Sequence, residues 1–265
     1  MYNRRSSQSI FRGNGLLDPF IMDVLQKNLE KHLIAYTRFT QNLIIKKGSI
    51  IAVKSNMKSD LLNKVLPSSS QENVDFRDLQ SFYEDQDFTW ITFDCSPQFE
   101  KLLVQNGFVE DEIEVPMILN HKISFINNTE MRIERVTRER ILDFNSVLES
   151  IGGCTEMREF LQSLVPEFYE LDDYQLYVGY VGSIAVCTGI LCISEFDVGG
   201  IYYIATRPEY RRKGLATCIL RFLLSNSSCK KFVLMASEAG IPVYEKIGFE
   251  RLAGNIKQYL KKPHS

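Results

Sequence analysis

The sequence predicts an α/β fold, with a mixed central sheet flanked by helices, built as two parts of one chain. Three observations lead there. Segments of helical and of strand periodicity follow one another along most of the chain. A short amphipathic helix, a Gly-Phe pair and a strand occur twice, at Gly107-Phe108 and Gly248-Phe249, 141 residues apart. One strand-to-helix turn, between Thr206 and Thr217, gathers small residues and positive charge. A length of 265 residues corresponds to about two domains. With 45% hydrophobic and 24% charged residues the chain is globular, and disordered, collagen-like and coiled-coil readings are excluded.

The elements can be justified in order. After a polar tail, Asp18 caps a helix that has Pro19 in its first position and runs to about Phe39. Gly48-Ser49 precedes a short strand, Ile50–Lys54, and Pro67–Asn73 is a loop by composition. A helix over Phe76–Tyr83 is followed by a strand over Phe88–Asp94. Ser96-Pro97 starts the next helix, which stops at Asn106-Gly107, and Ile113–Leu119 is a strand. In the second half Met131–Val136 alternates apolar and charged residues, as a half-buried strand does. Thr137 caps a helix reaching Gly152-Gly153, and a second helix spans Thr155–Phe168. Two β-rich runs flank Gly182 as a hairpin. Then come a strand ending at Thr206, a helix over Leu215–Ser225, a strand over Lys230–Ser237, and a short helix, Ile241–Ile247, stopped by Gly248.

Charge is unevenly spread. The net charge of -2 implies no global field toward nucleic acid. From Gly199 onward, however, twelve Lys/Arg face four Glu and no Asp, so this quarter carries +8 and the preceding 198 residues -10. A local partner with several negative charges is the natural complement. The six cysteines form no CxxC pair, and the three histidines (His32, His121, His264) sit at no metal-ligand spacing, so no metal is expected. No secretory h-region and no membrane-length apolar run occurs, and the expected location is cytoplasmic, without membrane association.

The turn after Thr206 carries the chemistry. Pro208 ends the strand, and Gly214 and Ala216 stand where a helix begins, so the backbone can approach a ligand closely. Free N–H groups at a helix N-terminus, with the positive end of its dipole, bind anions. Arg211, Arg212 and Lys213 add charge around them, which points to a diphosphate. Neither GxxxxGK[ST] nor GxGxxG is present. An ordinary turn with exposed bases is the bland alternative.

Arg211-x-x-Gly214-x-Ala216 resembles the acetyl-coenzyme-A loop of the Gcn5-related N-acetyltransferase (GNAT) superfamily, whose pattern is Arg/Gln-x-x-Gly-x-Gly/Ala. The resemblance extends over about Met131–Leu260, through Tyr244 and Gly248-Phe249. It implies acyl transfer from the thioester of acetyl-CoA to an amine. It further implies a motif strand, Ile204-Ala205-Thr206, splayed from its neighbour to hold the pantetheine arm. Amides from Arg212 through Lys213, Gly214, Leu215 and Ala216 to Thr217 are expected to take the pyrophosphate. Ser237 stands where the family often has Asn, and Tyr244 matches the general acid that protonates the departing thiolate. The competing reading of Tyr244 is packing against the sheet.

The general base is poorly marked. Glu195 and Asp197, just before the motif strand, are the nearest candidates in sequence, and each reads equally as a solvated loop charge. Tyr202 and Tyr203 alternate, so one should face the acceptor, and Gly152-Gly153 lies where the family shapes its acceptor pocket. In the first half, Leu103 stands four residues before Gly107, where Tyr244 stands before Gly248, and no anion loop precedes Gly107. Residues 1–128 are therefore expected to be a degenerate acetyltransferase-like or accessory α/β domain, and 129–265 the catalytic domain. A small-molecule amine is the expected acceptor. A non-catalytic acyl-CoA sensor and a protein acetyltransferase are the alternatives, and the oligomeric state is not predicted.

Overall fold

The structure is a computed structural model and describes residues 19–39, 43–47, 50–67, 74–126, 129–152 and 155–262. In the first half it has α1 (Pro19–Ala35), β1 (Leu43–Lys47), β2 (Ile50–Lys54), β3 (Lys64–Pro67), α2 (Phe76–Tyr83), β4 (Phe88–Phe93), α3 (Pro97–Gln105) and β5 (Val109–Leu119). The second half has β6 (Arg132–Arg135), α4 (Ile141–Glu149), α5 (Thr155–Ser163), α6 (Pro166–Tyr169), β7 (Tyr174–Val181), β8 (Ile184–Ser194) and β9 (Val198–Thr206). It closes with α7 (Leu215–Ser225), β10 (Lys231–Ala236), α8 (Ile241–Ile247), β11 (Glu250–Arg251) and β12 (Ile256–Lys261).

Local chemistry explains most of the boundaries. Ser96 accepts from the Phe99 N–H at 3.2 Å, with Pro97 first in α3. The two Gly-Phe turns close identically. Phe108 N–H donates to Leu103 O and Phe249 N–H to Tyr244 O, both at 3.1 Å, over glycines at φ +80 and +113. Three expectations needed correction. Thr137 hydrogen-bonds Glu139 instead of capping, so a 3-10 turn precedes α4. Pro166 splits the anticipated Thr155–Phe168 helix, since proline in a helix interior removes a bond and clashes with the preceding turn. β5 starts at Val109, not Ile113, because pairing with β12 draws in the polar stretch before it. The Asp18 cap, Gly48-Ser49, Gly153 and loop residues 68–73 fall outside the described residues.

Among the described residues all strands join one sheet in the order β1-β2-β3-β4-β12-β5-β10-β9-β8-β7-β6, with β11 also on β5. The last strand of the chain thus lies in the first half, antiparallel to β4, while β5 lies antiparallel to β10. The two meet antiparallel at the centre, Ile256 opposite Glu114 and Leu260 opposite Val109. Outward from this seam the pairings recur. β4 is parallel to β3 as β10 is to β9, and β3 is antiparallel to β2 as β9 is to β8.

One face of the sheet is covered by α1 and α4–α6 over a core that spans both halves, including Ile51, Leu66, Ile91, Ile118, Ile256 and Tyr202. The opposite face carries α7 and α8 over Met117, Leu191, Phe232 and Leu234, and α2 and α3 over Val65, Trp90 and Tyr259. Helix α1, from the first half, is fastened to the second. The buried Asn28 amide donates to Cys192 O and Ser194 Oγ at 3.0 and 2.9 Å, and Asn28 Oδ1 accepts from Tyr202 OH at 2.7 Å. His32 stacks on Tyr202 at 3.8 Å between ring centroids. This closeness requires Gly200, where a Cβ would stand 1.7 Å from Asn28 Oδ1. Gly200→Ala is expected to destabilise the protein by about 1–3 kcal/mol through overpacking, read as a lowered urea midpoint at unchanged slope.

Candidate active site

The site begins where two parallel strands part. β9 and β10 pair only through Val198–Gly200 and Lys231–Val233, so residues 201–206 of β9 have no partner on β10. On its other edge β9 stays paired to β8, with an irregularity opposite Gly189 and Tyr203 at φ +51. A bulge of this kind turns main-chain groups out of the ladder. Thr188 Oγ1 holds it by donating to Tyr203 O at 2.9 Å. The strand end is clamped by Arg207, which donates to Ala185 O at 2.6 Å and Ser146 Oγ at 2.8 Å. Ile204, Ala205 and Thr206 therefore line an open fork held firmly from one side only.

At the mouth of the fork the chain turns into α7. Arg211, Arg212, Lys213 and Gly214 are exposed, and Arg212 and Gly214 adopt φ +60 and +78. These left-handed residues turn the chain so that the first amides of α7 are presented together. No side chain caps this helix start. A Cβ at Gly214 would have only Thr129 Cγ2 within reach, at 4.0 Å, so the approach is open. Arg211 is steadied by Thr206 O at 3.2 Å, and Lys213 lies over the Tyr210 ring at 4.8 Å. Leu215 is buried beneath the turn, while Ala216 and Thr217 are half-exposed. Free amides, a helix dipole and three cations form a cradle that fits a diphosphate.

The other prong leads through Ser237 into α8. Ser237 is exposed, and its carbonyl accepts from the Gly240 and Ile241 N–H groups. Tyr244 is half-buried and packs edge-on to Phe249 at 5.9 Å. Burial, with the charge of Glu114 second, pushes its hydroxyl up to about 12. It remains a proton donor throughout the neutral range. Gly240 lets it in, since a Cβ there would lie 2.9 Å from the Tyr244 ring and 3.5 Å from Ser237 Oγ.

Glu195 stands elsewhere. It is exposed in the turn before β9 and borders an open groove with Lys27, Glu30 and Lys31 of α1. From Val198 to the bulge at Tyr203 is roughly 16 Å at the usual strand rise, so Glu195 and the fork lie at opposite ends of the strand. Asp197 is a turn residue at φ +58 whose carbonyl accepts from the Lys230 N–H. Of the two tyrosines, Tyr202 is buried under α1, and Tyr203 occupies the bulge on the same face. Gly152 is exposed at φ +99.

A carboxylate that sequence reasoning passed over flanks the β10 prong of the fork. Glu114 on β5 comes directly before the outermost residue paired to β10, Val115 opposite Ala236. Burial first, and the neighbouring Glu112 second, raise its carboxyl to about 7, against the Gln258 hydrogen bond and the Lys64 charge. The only trace in the sequence is the acidic run Glu110–Glu114, which alternation reads as a solvent face. Among the described residues no group of His, Cys, Asp and Glu could hold a metal, and no helix is long and apolar enough to cross a membrane. The five described cysteines are free thiols.

Comparison with known proteins agrees with this geometry. Residues 172–251 match the acetyltransferase (GNAT) domain family. A GCN5-related N-acetyltransferase from Kribbella flavida superposes with a TM-score of 0.67 at 12% identity, over 92% of this chain and 96% of that one. One from Sphaerobacter thermophilus gives 0.52 at 11%, over 82% of each chain. A fungal multi-domain GH3 β-N-acetylglucosaminidase, described as containing a GCN5-related glucosamine N-acetyltransferase region, gives 0.60 at 11%, over 88% of this chain and 34% of that one. At these identities the likeness is one of fold. No curated protein matches the sequence significantly.

Two outcomes are expected of the site's framework. Gly214→Ala forces a β-carbon into left-handed backbone and should cost about 1–2 kcal/mol, measured by denaturant unfolding. His32, driven down to about 3 by burial and secondarily by the Lys64 charge, is neutral in the folded protein. Its unfolded value is about 6.5, so the unfolded chain binds the extra proton in between. The stability due to neutral His32 is thus complete above about pH 6.5 and is lost toward pH 3, by up to about 1.4 kcal/mol per pH unit. Glu114 titrates in the opposite sense, so the test is the stability difference between wild type and His32→Gln. That difference should narrow as the pH falls.

Proposed function

We propose that this protein, whose residues 172–251 match the acetyltransferase (GNAT) domain family, is an acetyl-CoA-dependent N-acetyltransferase acting on the amine of a small molecule. The observation that carries the reading is the fork between β9 and β10, with an uncapped helix start and three cations at one prong and Tyr244 at the other. The residues present fit the co-substrate. Arg212–Thr217 amides take the pyrophosphate, aided by Arg211 and Lys213. Residues 204–206 hold the pantetheine arm along the unpaired edge of β9, and Ser237 lies beside its thiol end. Bound there, acetyl-CoA supplies the acyl group and a thiol leaving group. Main-chain N–H groups of the bulge polarise the carbonyl under attack. Tyr244 gives a proton to the departing sulfur, a role suited to a hydroxyl kept protonated by burial.

We also read the molecule as a duplication, with 129–265 catalytic and 1–128 a degenerate copy. The recurrence of strand order and direction about the β5–β12 seam supports this. Leu103, fully buried, fills the position of Tyr244, so the first half lacks the acid. Its place is then structural, with α1 roofing the acceptor face of the second half.

Calorimetry is expected to show acetyl-CoA binding, and thiol release over a panel of small amines to show turnover. Tyr244→Phe should keep cofactor affinity within about twofold and lose turnover by on the order of 10²–10⁴. Absence of binding at millimolar acetyl-CoA would overturn the reading. Binding without transfer to any amine would make the protein a sensor, and unchanged turnover in the variant would remove Tyr244 from the mechanism.

A further inference from the structure

We propose that Glu114, on the strand the first half contributes to the centre of the sheet, is the general base that takes the proton from the attacking amine. The inference rests on the acetyltransferase reading and assigns the one role that reading leaves open.

Position comes first. Glu114 is the next residue outward from the Val115–Ala236 pair, beside the open end of the β10 prong, with β10 between it and β9. Side chains alternate across a strand. Val115 and Met117 point into the core beneath α7 and α8, and Ile118 into the core beneath α1. Glu114 therefore lies on the α1 face, with Tyr202, while Tyr244 lies on the other. An acid and a base on opposite faces of a parted sheet suit a reaction in the gap, where the nucleophile enters from one face as the leaving group departs from the other.

Orientation comes next. Gln258 Nε2 donates to Glu114 Oε2 at 2.9 Å, and Gln258 Oε1 accepts from Lys64 Nζ at 3.1 Å. Lys64, on β3, is itself buried. Gln258, itself held by Lys64, thus fixes one carboxylate oxygen, and among the described residues Oε1 takes no hydrogen bond. The groups that act on Glu114 or feel its charge can be named by element: Glu112 on β5, Gln258 on β12, Lys64 on β3, Tyr202 on β9 and, from the other face, Tyr244 on α8. Burial first, and Glu112 second, raise its affinity for a proton to the range where a base works at neutral pH, against the Gln258 hydrogen bond and the pull of Lys64. Glu195 has neither this position nor these partners.

The chemistry balances. The amine nitrogen forms the N–C bond to the carbonyl carbon and gives one proton to Glu114. The C–S bond breaks, and the sulfur takes one proton from the Tyr244 hydroxyl. Glu114 then releases its proton to solvent, and Tyr244 recovers one from solvent, so the enzyme is restored with one amide and one thiol formed.

The test measures kcat/KM against pH for wild type, Glu114→Gln and Glu112→Gln, with acetyl-CoA affinity and Tm for each. Wild type should show an acid limb near pH 7. Glu114→Gln should bind acetyl-CoA normally, lose turnover by on the order of 10²–10⁴ and lose the limb. Its Tm at pH 8 should equal or exceed that of wild type, because a carboxylate whose affinity for protons rises on folding opposes folding when ionised. A merely structural role would lower it. Glu112→Gln removes a charge that raises the Glu114 carboxyl, and should move the limb to lower pH while keeping plateau turnover. Wild-type turnover and an unchanged limb in Glu114→Gln would overturn the assignment alone. A wild type that binds acetyl-CoA yet acetylates no amine would overturn the transferase reading, and the base with it.

Discussion

The antiparallel pairing of β5 with β12 is the constraint on which the rest of the molecule depends. Neither strand lies beside the elements that precede it in sequence. β5 leaves the first half to pair with β10, β12 leaves the second to pair with β4, and the two are bonded to each other along the centre. A sheet interrupted there would expose two strand edges, each a row of unpaired donors and acceptors. The exchange removes those edges and joins the halves through main-chain bonds. It also lets α1 pack over β8 and β9, since a continuous sheet offers a continuous face.

The same seam shapes the fork. β10 is bonded on one side to β5 along Val115–Leu119 but on the other to β9 for three residues only. The gap therefore opens toward the C-terminal ends of two parallel strands, with α7 starting at one and α8 at the other. Charge follows the layout. The basic turn before α7 stands in solvent, where three cations repel little and can meet a polyanion. Of the carboxylates of β5, Glu110, Asp111 and Glu112 are exposed and Glu114 is half-buried, and desolvation acts on Glu114 from within the sheet and on Tyr244 from the other face. Each keeps its proton more tightly than in water, so the phenol stays protonated at neutral pH and the carboxylate takes up a proton more readily.

Much of this was legible in particular residues. Ser96-Pro97, Gly107 and Gly248 mark helix ends because caps and left-handed glycines act over a few residues. The loop from Arg211 to Ala216 was legible for the same reason, being a local turn whose glycine and charges serve one short stretch. β1 and β3 were not foreseen. Both are short and end in Lys or Pro, so alternation has too few residues to register, and their pairing with distant strands sets their extent. Thr137 and the Thr155–Phe168 stretch show local signals overruled, one by a nearer hydrogen-bond partner and one by a single proline.

By itself the sequence determined an α/β chain with a repeated helix–Gly-Phe–strand unit, a basic glycine turn at a helix start and a tyrosine four residues before the second Gly-Phe. These are properties of neighbours in the chain, and backbone sterics and short-range hydrogen bonds are enough to establish them. Only the tertiary structure decided which strand borders which. It placed Glu114 beside the open end of β10 and Glu195 at the far end of β9, although Glu195 is three residues from β9 and Glu114 more than eighty. Proximity in a sheet is set by inter-strand hydrogen bonds and by which faces must be buried, and neither is written in the spacing of residues along one segment.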